Sequence, residues 1–235
     1  MLNDSEAIRR DSPFLYLNSK AYLYGEELFE IARAADEQAK KFGINILLSP
    51  QPTGITDLAA AAGELIIFAQ HIDPIEKGRG HGALLPEAVK AAGAEGVVLN
   101  HAEKPLELSV LSRTVARARA LGLLTVIAAG SAREAAAAAS LAPDMVMAEP
   151  AELIGSGKTS SSGYISETLK SVKQVDPAIK VIQGAGISTY EDAARIIKAG
   201  ADGVGTASGV FQADKPIQII EELVQGILAG LEDSR

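Results

Sequence analysis

The stretch Asp144-Met-Val-Met-Ala-Glu-Pro-Ala-Glu-Leu-Ile-Gly-Ser-Gly-Lys-Thr159 contains the fold in miniature. Its first part, Asp144 to Ala148, is an apolar run that reads as a buried strand. Pro150 stops the strand, because proline has no N–H to give to a ladder. Gly155-Ser156-Gly157 then offers bare backbone N–H groups and flexible hinges. A helical stretch follows at Ile165–Val175. The unit is therefore strand, loop, helix. Glu149 stands at the strand tip beside the Gly-rich loop. A base so placed suits proton abstraction next to an anion, under a lid.

The same unit recurs in both directions along the chain. Apolar β-like runs lie at Phe14–Leu17, Ile44–Leu48, Leu65–Ala69, Gly96–Leu99, Leu124–Ala128, Met145–Ala148, Ile179–Ile182 and Gly203–Gly205. Alanine-rich or amphipathic stretches between them read as helices at Glu26–Lys41, Leu108–Ala120, Arg133–Leu141, Ile165–Val175, Thr189–Ala199 and Ile217–Leu231. Gly43, Gly93, Gly122 and Gly200 follow helical stretches, where a left-handed cap favours glycine. The strand runs are short and do not alternate, as parallel strands covered on both faces do not. Eight such units in roughly 250 residues is the count of a (β/α)8 barrel. A doubly wound sheet is the main rival, but no GxGxxG follows the first strand. One α/β barrel domain is expected over residues 13–235, with an N-terminal extension at residues 1–12.

Composition removes several classes of function. The chain has 235 residues, 47% of them apolar, enough for a sizeable core. It has no cysteine, so neither a disulfide nor a thiolate metal site is open to it, and a reducing cytoplasm fits. No apolar run approaches the ~20 residues of a membrane span, and Met1 to Asp11 show no signal-peptide core. A net charge of −8 argues against nucleic acid as a partner. An anionic substrate then needs a local positive site. His71, His81 and His101 sit in no metal-binding spacing, and no metal or other cofactor is expected.

In a (β/α)8 barrel the active site lies at the strand C-terminal ends. Asn18-Ser19-Lys20 follows the first run, Gln70-His71 the third, Asn100-His101-Ala102-Glu103 the fourth and Glu149 the sixth. From Lys20 to His101 is 81 residues, three units of 27, and from His101 to Glu149 is 48, two units of 24. A lysine, a histidine and a glutamate thus face one mouth. A glutamate kept from water is a carbon-acid base of raised pKa. A neutral histidine donates a hydrogen bond to a carbonyl and shuttles its proton. His101 is expected to open a short helix before Pro105, whose N-terminus would lower the imidazole pKa. Lysine supplies fixed positive charge for an oxyanion or phosphate. Gln183-Gly184-Ala185-Gly186-Ile187-Ser188 and Thr206-Ala207-Ser208-Gly209 follow strands seven and eight. Free N–H groups at helix starts there would bind phosphate, as this fold commonly does after those strands.

These motifs resemble the triosephosphate isomerases, especially their shorter archaeal-type branch. The resemblance runs from about Phe14 to Leu228 and rests on LNSKAY, FAQHIDP, LLPEAVKAAGAEGVVLNHAEK, AEPAELIGSGKT, GAGIST and ASGV. It implies a cofactor-independent aldose–ketose isomerase of a small phosphorylated sugar. Glu149 would be the base, His101 the neutral electrophile and Lys20 the positive group near substrate oxygen and phosphate, with Asn18 beside it. Glu103 matches the acid that orients the lysine. Ile154 and Gly155 in the lid, Gly186 after strand seven, and Ala207 and Ser208 after strand eight match phosphate and substrate contacts. A dimer or tetramer is implied as well.

Three departures from the family pattern stand out. Ser19 replaces an aromatic, Ala102 replaces a serine, and His81 in the interface loop Glu76–Gly82 stands where threonine is common. They leave the chemistry intact and keep a larger substrate open, such as a tetrulose phosphate. A barrel aldolase would want a Schiff-base lysine inside a mid-barrel strand, and none is seen. A noncatalytic phosphosugar sensor would be expected to lose Glu149, His101 or Lys20.

Overall fold

In a computed structural model of the chain, which describes residues 12–233, the eight apolar runs form parallel strands. They are β1 (Phe14–Asn18), β2 (Asn45–Ser49), β3 (Ile66–Ala69), β4 (Gly96–Leu99), β5 (Leu124–Ala129), β6 (Met145–Ala148), β7 (Lys180–Gln183) and β8 (Gly203–Thr206). Each pairs with the next in sequence, and β8 pairs with β1, closing the barrel. The (β/α)8 expectation is met. All but Ser12 of the expected extension lies outside the described residues.

Strand alternation divides the core into two layers. Phe14, Tyr16, Leu47, Phe68, Val126 and Met147 point into the barrel. Leu15, Leu17, Ile46, Leu48, Ile67 and Ile127 point outward to the helices. Each fully buried side chain of this size contributes about 1.5–3 kcal/mol. The closing seam explains two glycines. Gly203 pairs with Phe14 and Gly205 with Tyr16 across the β1–β8 ladder. A Cβ at Gly203 would lie 2.6 Å from the Phe14 Cβ, and one at Gly205 would lie 3.3 Å from the Tyr16 ring. Two large rings of one strand thus fill the interior over two bare positions of its neighbour.

The helices are α1 (Gly25–Phe42), α2 (Ile55–Ala61), α3 (Pro86–Ala91), α4 (Leu108–Ala120), α5 (Ala132–Ala139), α6 (Ser162–Val175), α7 (Tyr190–Lys198), α8 (Ser208–Phe211) and α9 (Pro216–Glu232). Gly43, Gly93, Gly122 and Gly200 all have positive φ, as their places after helices required. Ser131, Ser161 and Thr189 cap α5, α6 and α7 through their side chains. Glu134 also accepts from the N–H of Gly130, the residue before the α5 cap, at 2.7 Å. No helix among the described residues is long and apolar enough to cross a membrane.

One local expectation needs correction. No helix opens at His101. A turn closed by Lys104 N–H to the His101 carbonyl (2.8 Å) occupies that place, and α4 starts only at Leu108. The loop after β7 leads into α7, which begins at Tyr190 behind its Thr189 cap, as expected.

Candidate active site

The turn after β1 is assembled by side chains from neighbouring strands. Lys20 has φ +44°, a left-handed conformation uncommon for a side-chain-bearing residue. Its N–H donates to Asn18 Oδ1 at 3.0 Å. Its carbonyl accepts from Gln51 Nε2 at 2.7 Å and from Gln70 Nε2 at 2.9 Å. Ser19 is fully buried, and its hydroxyl donates to the Ser49 carbonyl at 3.1 Å. The small side chain thus docks the turn onto the end of β2. The Lys20 ammonium meets Glu103 Oε1 at 2.6 Å, with the lysine side chain only 12% exposed.

His101 follows a second left-handed residue, Asn100 (φ +59°). Asn100 donates to the Ala128 carbonyl and accepts from Leu106 N–H, which sets the 100–106 loop against β5. The Glu103 N–H donates to His101 Nδ1 at 3.1 Å. Nδ1 is therefore the unprotonated nitrogen, and Nε2 carries the hydrogen. Nε2 is buried and has no hydrogen-bond partner among the described residues. Burial, and then the Lys20 charge, push the imidazole pKa below its ordinary value, outweighing Glu103. The neutral state arises from these causes and not from a helix N-terminus.

Glu149 extends the ladder past β6, its N–H bonding to the Ala129 carbonyl at 2.9 Å. Its carboxyl group is almost wholly enclosed. Burial raises its pKa, Lys20 and the Ala185 backbone N–H oppose the rise, and Glu103 adds to it. Glu149 Oε2 stands 3.6 Å from His101 Nε2, so a base and a neutral donor flank one small space. Gly184 explains how closely the base is held. A Cβ there would lie 3.1 Å from Glu149 Cδ and 3.2 Å from its Cβ.

The segment from Pro150 to Ser161 crosses the mouth. A 3-10 turn spans Ala151–Leu153, and Gly155 and Gly157 follow with φ +72° and +69°. A small cavity lies beneath it. Ile154, Gly155, Gly186, Ala207 and Ser208 all line this space, together with Lys20 and Glu149. Among the described residues, Lys20 is the one cationic side chain on its wall. Ala185 and Gly186 both have positive φ, which turns the loop after β7 toward the cavity. A Thr206 hydroxyl bond to the Ile187 carbonyl (2.6 Å) joins that loop to the end of β8. A second, more open cavity of about 220 Å³ adjoins the site. Asn18, Lys20 and His101 stand on its wall with Gln51, Gln70, His71, Leu84 and Lys104.

All ten sequence-selected residues thus gather at one barrel mouth. His71 serves the scaffold instead. Its Nε2 pairs with Asp73 Oδ1 at 3.2 Å, and Asp73 also accepts from Leu84 N–H. That pair closes the 71–84 loop. His81 and Ala102 are exposed. Sequence reasoning missed Gln51, noted Gln70 without a role, and placed Gly184 in the phosphate loop without its packing against Glu149. Gln51 follows β2 by two residues, so its position at a strand end was the available signal.

Fold and site together define a class: a (β/α)8 barrel whose mouth holds a buried carboxylate, an imidazole of lowered pKa and a paired lysine beside a small pocket. Comparison with known proteins narrows the class. Residues 13–223 match the family described as Triosephosphate isomerase. The triosephosphate isomerase of Methanobacterium bryantii is 38% identical over 223 residues, covering 93% of this chain and 98% of the relative. That of Sulfurisphaera tokodaii is 37% identical over 225 residues, covering 94% and 97%. That of Methanoculleus marisnigri is 39% identical over 219 residues, covering 91% and 98%. The chain belongs to the triosephosphate isomerase family.

Proposed function

We propose that the protein is a cofactor-independent isomerase interconverting D-glyceraldehyde 3-phosphate and dihydroxyacetone phosphate. The observation that carries this reading is the pairing of Glu149 Oε2 with the unpartnered His101 Nε2, 3.6 Å apart and beside Lys20. Glu149 takes a proton from the carbon next to the carbonyl. The C–H electron pair becomes a C=C bond, and the carbonyl π pair moves onto oxygen. His101 Nε2–H and the Lys20 ammonium stabilise that oxygen as an enediolate. His101 Nε2 gives its proton to that oxygen and takes one from the adjacent hydroxyl, so the oxygen proton passes from one oxygen to the other and the imidazole is left neutral. Glu149 then returns its proton to the neighbouring carbon as the C=C pair reforms the C–H bond and the second oxygen becomes the carbonyl. A buried carboxylate is a stronger base than a solvated one, and a neutral imidazole donates without carrying a charge. Asn18 holds the Lys20 turn, and Glu103 orients the ammonium. Backbone N–H groups near Gly155, Gly186, Ala207 and Ser208, with Ile154 as apolar cover, hold the phosphate.

Other readings have less support. Lys180 is the one lysine within a described strand; it begins β7 and pairs with Asp202 at 3.1 Å, which does not suit a Schiff base. A noncatalytic sensor has no need for the Glu149–His101 arrangement. The open cavity of about 220 Å³ beside Lys20 and His101 favours one second reading, a substrate longer by one carbon. A homo-oligomer also belongs to this proposal, with the exposed 76–82 segment reaching toward the site of a neighbouring copy. The cysteine-free composition supports a cytoplasmic setting, and the net charge of −8 speaks against nucleic acid. We take residues 13–235 as the single catalytic domain. Coupled assays on triose and tetrulose phosphates test the reading. A kcat/KM favouring the triose by tenfold or more is expected, and a preference for the tetrulose would reassign the substrate.

A further inference from the structure

The far end of the lid is tied to the barrel by contacts that the isomerisation chemistry itself does not use. Thr159 lies two residues beyond the left-handed Gly157 and just before Ser160, which is buried. Its hydroxyl accepts a hydrogen bond from Arg195 Nη2 at 3.0 Å. Arg195 is half-buried on α7, 36 residues further along the chain. A second contact lies next to it. Gly186 has φ +66°, and a Cβ on it would lie 2.8 Å from Lys158 N and closer still to the Lys158 carbonyl. The lid backbone therefore rests directly on the loop after β7. Both contacts reach the same β7–α7 unit, which also supplies Ala185 and Gly186 to the small cavity beneath the lid.

We propose that Arg195 is a positioning residue: by holding Thr159, it fixes the C-terminal anchor of the lid in register with the phosphate-binding loop after β7. The inference rests on the phosphosugar reading of the cavity. With this anchor fixed, motion is confined to the segment before it, where Gly155 and Gly157 supply the freedom. Closure then brings Ile154 and Gly155 to one place over Ala207 and Ser208. Without the guanidinium, Lys158 and Thr159 slide on Gly186, and the backbone donors meet the anion out of register. Errors of an ångström in such positioning cost catalysis heavily.

The test uses Arg195→Met, Thr159→Val, the double variant and the rescue variants Arg195→Lys and Thr159→Ser. Arg33→Met, whose arginine pairs with Glu26 on α1, controls for the lost positive charge. Losing a hydrogen bond from a charged, partly exposed donor should weaken 2-phosphoglycolate binding about fivefold to tenfold. KM should rise by a similar factor and kcat should fall less. Amide exchange at residues 158–161 should quicken equally in Arg195→Met and Thr159→Val without ligand. The double variant should be no worse than either single one, and the rescue variants should recover most of the affinity. Additive losses in the double variant would overturn the proposal. So would wild-type phosphoglycolate affinity in both single variants. Should Arg195→Met fail to fold, Thr159→Val carries the same comparison. If the unaltered enzyme binds no phosphoglycolate, the phosphosugar reading fails first and the anchor falls with it. If it binds and the variants match it, the anchor alone is wrong.

Discussion

Gly184→Ala isolates how tightly the base is positioned. The substitution adds one methyl group and no charge, at a residue whose φ lies outside the left-handed region. Its Cβ would stand 3.1, 3.2 and 3.3 Å from Glu149 Cδ, Cβ and Cγ. Ordinary carbon–carbon contact is about 3.5–4.0 Å, so Glu149 must move by roughly 0.4 Å. The strands cannot absorb this, because Gly184 N–H bonds to the Ala148 carbonyl at 2.9 Å and ties β7 to β6. The carboxylate shifts instead. A displacement of ~1 Å costs about 100-fold, and a proportionate share for roughly 0.4 Å is about sixfold. We therefore expect kcat to fall fivefold to tenfold, about 1 kcal/mol in the barrier. Binding of 2-phosphoglycolate should change less than twofold. Thermal stability should hold, since the alanine also restricts the unfolded chain. Steady-state kinetics and calorimetry read these together. A kcat within twofold of the parent, in a folded variant, would refute the claim that Glu149 works from this fixed position.

Three further outcomes follow from the same geometry. Lys20→Met removes the one cation that the described residues place on the cavity wall, so phosphoglycolate affinity and turnover should both drop, at least tenfold each. His101→Asn should lower turnover at least as much while sparing inhibitor affinity, and calorimetry beside kinetics separates the two patterns. Glu149→Gln should raise stability at neutral pH, seen as a higher Tm. The sign follows from the raised carboxyl pKa: between the unfolded and folded values the native state holds a proton that the unfolded state has released. Stability therefore falls as pH rises through that window, and the neutral amide of the variant escapes the loss. The advantage of Glu149→Gln should vanish below the ordinary carboxylate range of about pH 4, and persistence there would contradict the cause given.

The strands were legible because burial on both faces leaves unbroken apolar runs. Gly96–Leu99 and Met145–Ala148 have the same bounds in sequence and structure. The long helices were legible through their periodicity and closing glycines. The short helices α2 and α3 were not, since two turns or fewer give too little period to read. Catalytic candidates were legible because the fold sends strand ends to one mouth. Their supports were hidden because they come from other strands. Gln51 and Gln70 hold the left-handed Lys20 turn, and nothing near Lys20 in sequence announces them. The His101 turn reads in sequence as a helix start because Pro105 looks like punctuation; the Glu103 N–H settles the imidazole tautomer instead.

The central claim is that Glu149 moves a proton between adjacent carbons through an enediolate. Isomerisation of glyceraldehyde 3-phosphate in D2O, with the product analysed by NMR, tests it most directly. Glu149 holds the abstracted proton at a mouth that opens to solvent, so deuterium should appear on the carbon that receives it. Glu149→Gln should abolish both turnover and exchange. Product and substrate still free of deuterium after many turnovers at equilibrium would mean a direct hydride shift, and undiminished exchange in Glu149→Gln would assign the base elsewhere; either result contradicts the account.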